Sequence, residues 1–212
     1  MAASEPTAAE RLIKGILPEN PVYRQLLGMC PTLAVTNGMK PAMTMVGATA
    51  FTLICANLMT SLLRKGLKPH LRILVFTLTI ATFVTIADKM LAAFLYGMSK
   101  QLGPYVPLII VNCIIISRCE ICSSKQGPWI AFCDGVGMSL GFGIALASIA
   151  TVRELLGMGT WFGMRVLPES WPGWGVLALP PGAFLTLGVL LATVEWWGKR
   201  KTLRQMELQG KA

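Results

Sequence analysis

The sequence predicts an all-α membrane protein of six transmembrane segments, arranged as two three-segment units of opposite orientation. Three observations carry this. Of 212 residues only 14% are charged and 54% are hydrophobic, with a mean hydropathy of +0.60, whereas a soluble domain carries about 25% charge. Long apolar runs recur, near or above the roughly 20 residues a helix needs to cross the hydrocarbon core. Two shorter apolar stretches, each interrupted by glycine or proline, open the two halves of the chain.

Taken in order, residues 1–20 form a cytoplasmic N-terminal segment with no long apolar core and no small-residue cleavage site, so no signal peptide is expected. The first segment is the short stretch 22–37, broken around Gly28 and Pro31. Residues 42–62 hold no charge and read as a clean span. Residues 73–98 are long enough but carry Asp88 and Lys89. The fourth segment, 102–117, is again short, with Gly103, Pro104 and Pro107. Residues 135–152 are clean and are extended at one end by 128–134, and 176–194 follow with Pro180, Pro181 and Gly182 near their start. The membrane domain is thus 21–198, in repeats of about 21–100 and 101–198, followed by a basic cytoplasmic tail at 199–212.

The net charge of +9 does not point to nucleic acid, because the basic residues flank apolar runs. Arg11, Lys14 and Arg24 precede the first segment, and Arg64, Lys65, Lys68 and Arg72 follow the second. Arg118 and Lys125 follow the fourth, and Lys199, Arg200, Lys201 and Arg204 close the chain. The alternate loops are poorer, with Lys40, then Lys100, then Arg153, Glu154 and Arg165. Positive charge collects on the cytoplasmic side, which puts both termini there. Laying Cys30 on Cys113 shows a hidden repeat. Each cysteine is followed by a proline-punctuated link, through Pro41 or Pro128, then a long uncharged helix ending at Arg64 or Arg153, then one more segment. Three segments per unit is odd, so the second unit enters the membrane upside down relative to the first.

Short, broken segments at corresponding positions of two halves mark a mid-membrane site. Breaking a helix in lipid exposes backbone groups at several kcal/mol each unless they line a protein-enclosed site. Cys30 and Cys113 sit at these breaks. Taken singly, either fits a small buried hydrophobe; placed symmetrically, they read as thiolate ligands for a soft metal centre. Iron–sulfur and tetrahedral metal sites take four ligands, so two cysteines make half a site and a second membrane subunit of similar architecture is expected to supply the rest. Cys119 and Cys122 form a C-x-x-C that, with Cys113 and Cys133, offers a rival cluster near the cytoplasmic surface, while Cys55 reads as packing. Disulfides are not expected of cysteines lying in or beside apolar runs. Asp88 is a candidate for a polar or ion-conducting path, and Asp134 a weaker one. Gly137 and Gly141 form a small-x-x-x-small packing pair. The run Gly135-Val136-Gly137 follows no strand and is no dinucleotide loop. No phosphate loop, zinc-protease helix or nucleophile elbow occurs, and His70 as the single histidine excludes bis-histidine haem ligation.

Two motifs carry a family resemblance. Asn20-Pro21, then the run Gln25-Leu26-Leu27-Gly28-Met29-Cys30-Pro31-Thr32-Leu33-Ala34-Val35-Thr36, resembles the first-segment motif of the RnfE and NqrD family of ion-translocating oxidoreductase membrane subunits. Pro107-Leu108-Ile109-Ile110-Val111-Asn112-Cys113-Ile114-Ile115-Ile116-Ser117-Arg118, then Glu120, resembles its second-half motif. Arg153-Glu154-Leu155-Leu156-Gly157, before Gly159-Thr160, also fits, and Leu179-Pro180-Pro181-Gly182-Ala183-Phe184 resembles the Rnf branch more than the Nqr branch. Cys119 and Cys122 stand where the family more often has small or apolar residues, and Ser117 where glycine is usual.

The resemblance implies six transmembrane helices as two inverted repeats with two broken half-helices, in a bacterial cytoplasmic (inner) membrane. It implies a [2Fe-2S] cluster shared with a homologous subunit of opposite topology, RnfA, with Cys30 and Cys113 matching two of the ligands. The implied assembly is a redox-driven translocase, the Rnf complex, which also contains RnfB, RnfC, RnfD and RnfG and is set in membrane lipid without nucleic acid. It passes electrons between ferredoxin and NAD, coupled to Na+ or H+ translocation, and this chain alone holds no complete active site. The alternatives are the NqrD subunit of the Na+-translocating NADH:quinone reductase, and a secondary transporter with inverted repeats.

Overall fold

A computed structural model of the chain describes residues 12, 15, 19–64, 66, 69–165, 173 and 175–209. Four of the flanking charges, Arg11, Lys14, Lys65 and Lys68, lie outside the described residues, as do residues 1–11 and 210–212. The described chain is helical apart from one short hairpin: α1 (Met29–Val35), α2 (Met39–Leu63), α3 (Arg72–Phe94), α4 (Tyr96–Leu102), α5 (Pro107–Ile110), α6 (Cys113–Arg118), α7 (Pro128–Met158), β1 (Thr160–Trp161), β2 (Met164–Arg165), α8 (Gly175–Ala178) and α9 (Pro180–Gln209).

The two clean apolar runs become the two central helices. α2 extends 25 residues and α7 31 residues, about 37 and 46 Å of helix against a hydrocarbon core of about 30 Å. Pro128 opens α7 at a position whose N–H has no intrahelical partner, and Gly159 closes it at φ 68°, where a side chain would be strained. α2 and α7 run antiparallel along their length. The Met39 N–H at the start of α2 donates to Glu154 Oε2 near the end of α7 at 2.7 Å, and Ser61 Oγ near the end of α2 donates to the Gln126 carbonyl just before α7 at 2.9 Å. The glycine stripe of α7 sets its close packing. A Cβ on Gly137's contact partner Gly15 would fall 2.6 Å from the Gly137 carbonyl carbon, and one on Gly141 would overlap the Gly15 carbonyl oxygen. Gly135 lies against Ile54 and Asn57 of α2, where a Cβ would approach the Asn57 amide nitrogen to 3.2 Å.

α3 buries one stripe, Phe76, Ile80, Val84 and Ala87, at helical spacing, and leaves Leu74, Leu78, Ile86, Met90 and Phe94 exposed. The core gathers Val35, Met45, Leu53, Phe76, Ile80, Ile114, Phe142 and Leu146 between these helices. Large apolar side chains on the outside are what a lipid-facing surface requires.

Three helices, α2, α3 and α7, are long and apolar enough to cross a membrane, and the bent pair Tyr96–Tyr105 and Pro107–Ser123, 57° apart, makes up to four among the described residues. These elements do not by themselves establish six spanning helices. Stretch 22–37 holds only the seven-residue α1. The apolar part of α9 ends at Glu195, after which Trp196, Trp197 and the basic residues continue the same helix to Gln209. Glu195 pairs with Arg24 at 3.6 Å, and Arg200 stacks over the Trp196 ring at 3.9 Å. The third predicted segment, 73–98, also divides: α3 stops at Phe94, Leu95 turns to φ −134°, and α4 starts at Tyr96.

Candidate functional site

The two cysteine motifs fold as broken chain followed by a short helix. In the first, Asn20 organises the turn: its Oδ1 accepts from the N–H groups of Val22 and Tyr23, and its Nδ2 donates to the Gly141 carbonyl on α7 at 3.0 Å. The chain then passes through the left-handed region twice, at Leu26 (φ 55°) and Gly28 (φ 74°), before α1 begins. Gly28 is required here for two reasons. The left-handed backbone disfavours a side chain, and a Cβ would overlap the side chain of Ile114. Cys30 follows as the second residue of α1 and is exposed.

In the second motif α5 ends at Ile110, Val111 and Asn112 leave the helix, and Asn112 caps α6 by accepting from the Ile114 N–H at 3.1 Å. This is the side-chain cap that asparagine favours. Cys113 is the first residue of α6 and is exposed. Asn112 is buried, and its Nδ2 has no partner among the described residues. Past Arg118 the chain loosens into one π turn, Cys119–Ser123.

The two breaks meet. The backbone N–H of Gly28, two residues before Cys30, donates to Cys113 Sγ at 2.8 Å. Eighty-five residues separate them in sequence. Gly28, two residues before Cys30, thus meets Cys113, and both cysteines are exposed.

Each short helix is tied at its far end to α7. Arg118, last residue of α6, forms a two-point ion pair with Asp134, Nε to Oδ2 at 2.9 Å and Nη2 to Oδ1, with side chains only 4% and 2% exposed. Thr36, just past α1, accepts from Arg153 Nη1 at 2.6 Å. Arg153 also donates to the carbonyls of Leu177 and Leu179, around α8. Its neighbour Glu154 accepts from Met39 N–H, Thr160 Oγ1 and Gly163 N–H, fixing the start of α2 and the β1–β2 hairpin. The sequence reading placed Arg118, Arg153 and Glu154 in loops; all three are buried. The signal available was that each lies at the edge of an apolar run, where a charge is either solvated or paired.

The C-x-x-C does not form a metal centre among the described residues, where no group of three or more Cys, His, Asp or Glu could hold an ion. Cys119 and Cys122 are buried and point to different amides, Asn57 Oδ1 at 3.6 Å and Gln126 Oε1 at 3.5 Å. Cys55 and Cys133 are half-buried within helices. Asp88 is half-buried on α3 and, among the described residues, forms no ion pair. Its neighbour Ala87 lines a lateral apolar cavity of about 500 Å³ between α2 and α3, with Met43, Phe51, Met90 and Phe94.

Comparison with known proteins gives this geometry its relatives. Residues 8–191 match the family described as "Rnf-Nqr subunit, membrane protein". The chain is 42% identical over 191 residues to the E subunit of the Na(+)-translocating ferredoxin:NAD(+) oxidoreductase complex of Acetobacterium woodii, covering 90% of this chain and 97% of that one. It is 42% identical over 202 residues to the D subunit of the Na(+)-translocating NADH-quinone reductase of Aeromonas hydrophila, covering 92% and 94%. The corresponding D subunit of Pseudomonas aeruginosa is 38% identical over 206 residues, covering 94% and 91%.

Proposed function

The chain belongs to the Rnf-Nqr family of membrane subunits, and we propose that it is the RnfE subunit of a ferredoxin:NAD oxidoreductase (Rnf) complex that couples electron transfer to Na+ or H+ translocation. The observation that carries this reading is the junction of the two chain breaks, where the N–H of Gly28, two residues before Cys30, meets Cys113 Sγ. The junction fits half of a [2Fe-2S] site. It presents two exposed thiols, a backbone N–H on one sulfur, and in Asn112 Nδ2 a buried amide donor with no partner among the described residues. Hydrogen-bond donors around cysteine sulfurs are what iron–sulfur sites use to set their potential. Cys30 and Cys113 would hold the cluster from this side, and a homologous membrane subunit of opposite topology, RnfA, would supply the other two ligands. A bound cluster supplies one-electron acceptance and donation inside the membrane. The chain's own contribution is to fix two ligands at the ends of short helices whose far ends are bolted to α7.

The same reading takes α1–α3 and α6, α7 and α9 as the two inverted units, with six segments crossing a bacterial inner membrane and both termini cytoplasmic. Support comes from α2 and α7, the corresponding long helices of the two units, which run antiparallel as inversion requires. Asp88, a charge on an otherwise apolar helix, is assigned to the ion path.

A second reading, the NqrD subunit of a Na+-translocating NADH:quinone reductase, is favoured by the equal 42% identity to that relative. The choice of branch rests on the Leu179–Phe184 motif. In the assembled complex, Cys30→Ala and Cys113→Ala are each expected to abolish the iron–sulfur paramagnetic signal; an unchanged signal refutes the ligand assignment. Iron absent from the purified wild-type complex would favour the transporter alternative.

A further inference from the structure

Four hydrogen bonds, joined through the backbone carbons of Thr32 and Gly28, link Arg153 to the sulfur of Cys113. Arg153 Nη1 donates to Thr36 Oγ1 at 2.6 Å. Thr36 Oγ1 donates to the Thr32 carbonyl at 2.6 Å, and Thr32 Oγ1 to the Gly28 carbonyl at 2.7 Å. The Gly28 N–H donates to Cys113 Sγ at 2.8 Å. Positions 28, 32 and 36 are four apart, so they stack on one face of α1. Thr32, Thr36 and Arg153 are no more than 1% exposed. The series runs about 12 Å along the helix.

Threonine hydroxyls return to the preceding turn elsewhere in this chain, at half-buried Thr44 and Thr77 and exposed Thr82 for example. Thr32 and Thr36 differ in being anchored at both ends, by a guanidinium and by a thiol sulfur. Every hydrogen in the series points the same way, from the cation toward the sulfur. Saturated carbons at Thr32 and Gly28 separate the bonds electronically, so their joint effect is positional: each fixes the next residue, and with it the Gly28 N–H, where water is excluded.

We propose that Arg153, acting through Thr36, Thr32 and Gly28, is a positioning residue for Cys113: the series holds the Gly28 N–H on the sulfur and favours added negative charge there. The proposal rests on the ligand role of Cys113 for its redox consequence, and on the hydrogen bonds alone for its structural one. It also gives α1 a second task. The helix that carries Cys30 passes the positional constraint set by α7 to the group that faces the other cysteine.

The test uses Thr32→Val and Thr36→Val, which keep the side-chain shape and remove one link each, with Thr52→Val as control. Thr52 is buried on α2, where its hydroxyl donates to the Ala48 carbonyl. In the assembled complex, Thr32→Val and Thr36→Val are each expected to move the cluster midpoint to more negative potential with iron content unchanged. The double variant should move it no further than the larger single shift, since a series needs breaking only once. Thr52→Val should leave it in place. In the iron-free full-length chain in lipid nanodiscs, both variants should speed hydrogen exchange of the Gly28 amide by about threefold or more. Unchanged midpoint and unchanged Gly28 exchange would overturn the relay. A complex without iron in which Gly28 exchange still responds would sink the cofactor and leave the relay standing.

Discussion

Replacing Gly28 with alanine separates the two demands that the first chain break makes on its backbone. At φ 74° an L side chain sits in the left-handed region, costing about 1–2 kcal/mol. The added Cβ would also overlap the Ile114 terminal methyl, lie 3.0 Å from Ile114 Cγ1 and 3.2 Å from Phe142 Cε2. Ile114 is 1% exposed and β-branched, so it cannot swing aside freely, and such overpacking costs about 1–3 kcal/mol. Gly28→Ala is therefore expected to destabilise the chain by about 2–5 kcal/mol. Ile114→Val removes the overlapping methyl at about 0.5–1.5 kcal/mol of its own. In that background Gly28→Ala should lose most of its steric cost and keep chiefly the backbone term, leaving a coupling of about 1–2 kcal/mol. Denaturant unfolding of the full chain in detergent, followed by circular dichroism, measures all four corners of the cycle. Equal costs of Gly28→Ala in both backgrounds would refute the packing of the first chain break against α6.

Two further outcomes follow from buried or lone charges. Asp134→Asn should cost about 3–5 kcal/mol, because it leaves the Arg118 guanidinium buried without its carboxylate, whereas Arg118→Met with Asp134→Leu should cost clearly less than Asp134→Asn alone; thermal unfolding of the two variants decides, and a double variant as damaging as Asp134→Asn would count against a desolvated pair. Asp88→Asn should change stability by no more than about 0.5 kcal/mol, since Asp88 has no ion pair among the described residues to lose. The same substitution should reduce redox-driven cation uptake by complex-containing vesicles, and undiminished uptake would remove Asp88 from the ion path.

The order of helices was legible where local pattern decides it. The uncharged run 42–62 and the run 128–152 became Met39–Leu63 and Pro128–Met158, because apolar length and the Pro128 start are written in adjacent residues. The break at Gly28 was legible from its glycine and proline, and the interruption of the fourth stretch from Gly103, Pro104 and Pro107, whereas the break at Asn112 directly before Cys113 was not. The break at Leu95 was not, since neither glycine nor proline marks it and its conformation follows from how α3 and α4 pack. Nor were the fates of the charges. Arg118 reads as a flanking loop cation, yet Asp134 takes it into the protein; Arg153 reads as the end of a helix, yet α7 continues five residues beyond it.

By itself, then, the sequence determined that the chain lives in a membrane, where its helices interrupt, and that Cys30 and Cys113 lie in interrupted stretches. These properties depend on hydropathy and backbone preference, which neighbours along the chain set. Only the tertiary structure decided that the two interruptions touch, that Gly28 rather than another residue faces Cys113, and that α7 anchors both short helices. Those contacts join residues as far as 117 positions apart, and no local signal specifies a partner at that range. It is chosen when antiparallel α2 and α7 pack and bring the buried polar groups within hydrogen-bonding reach.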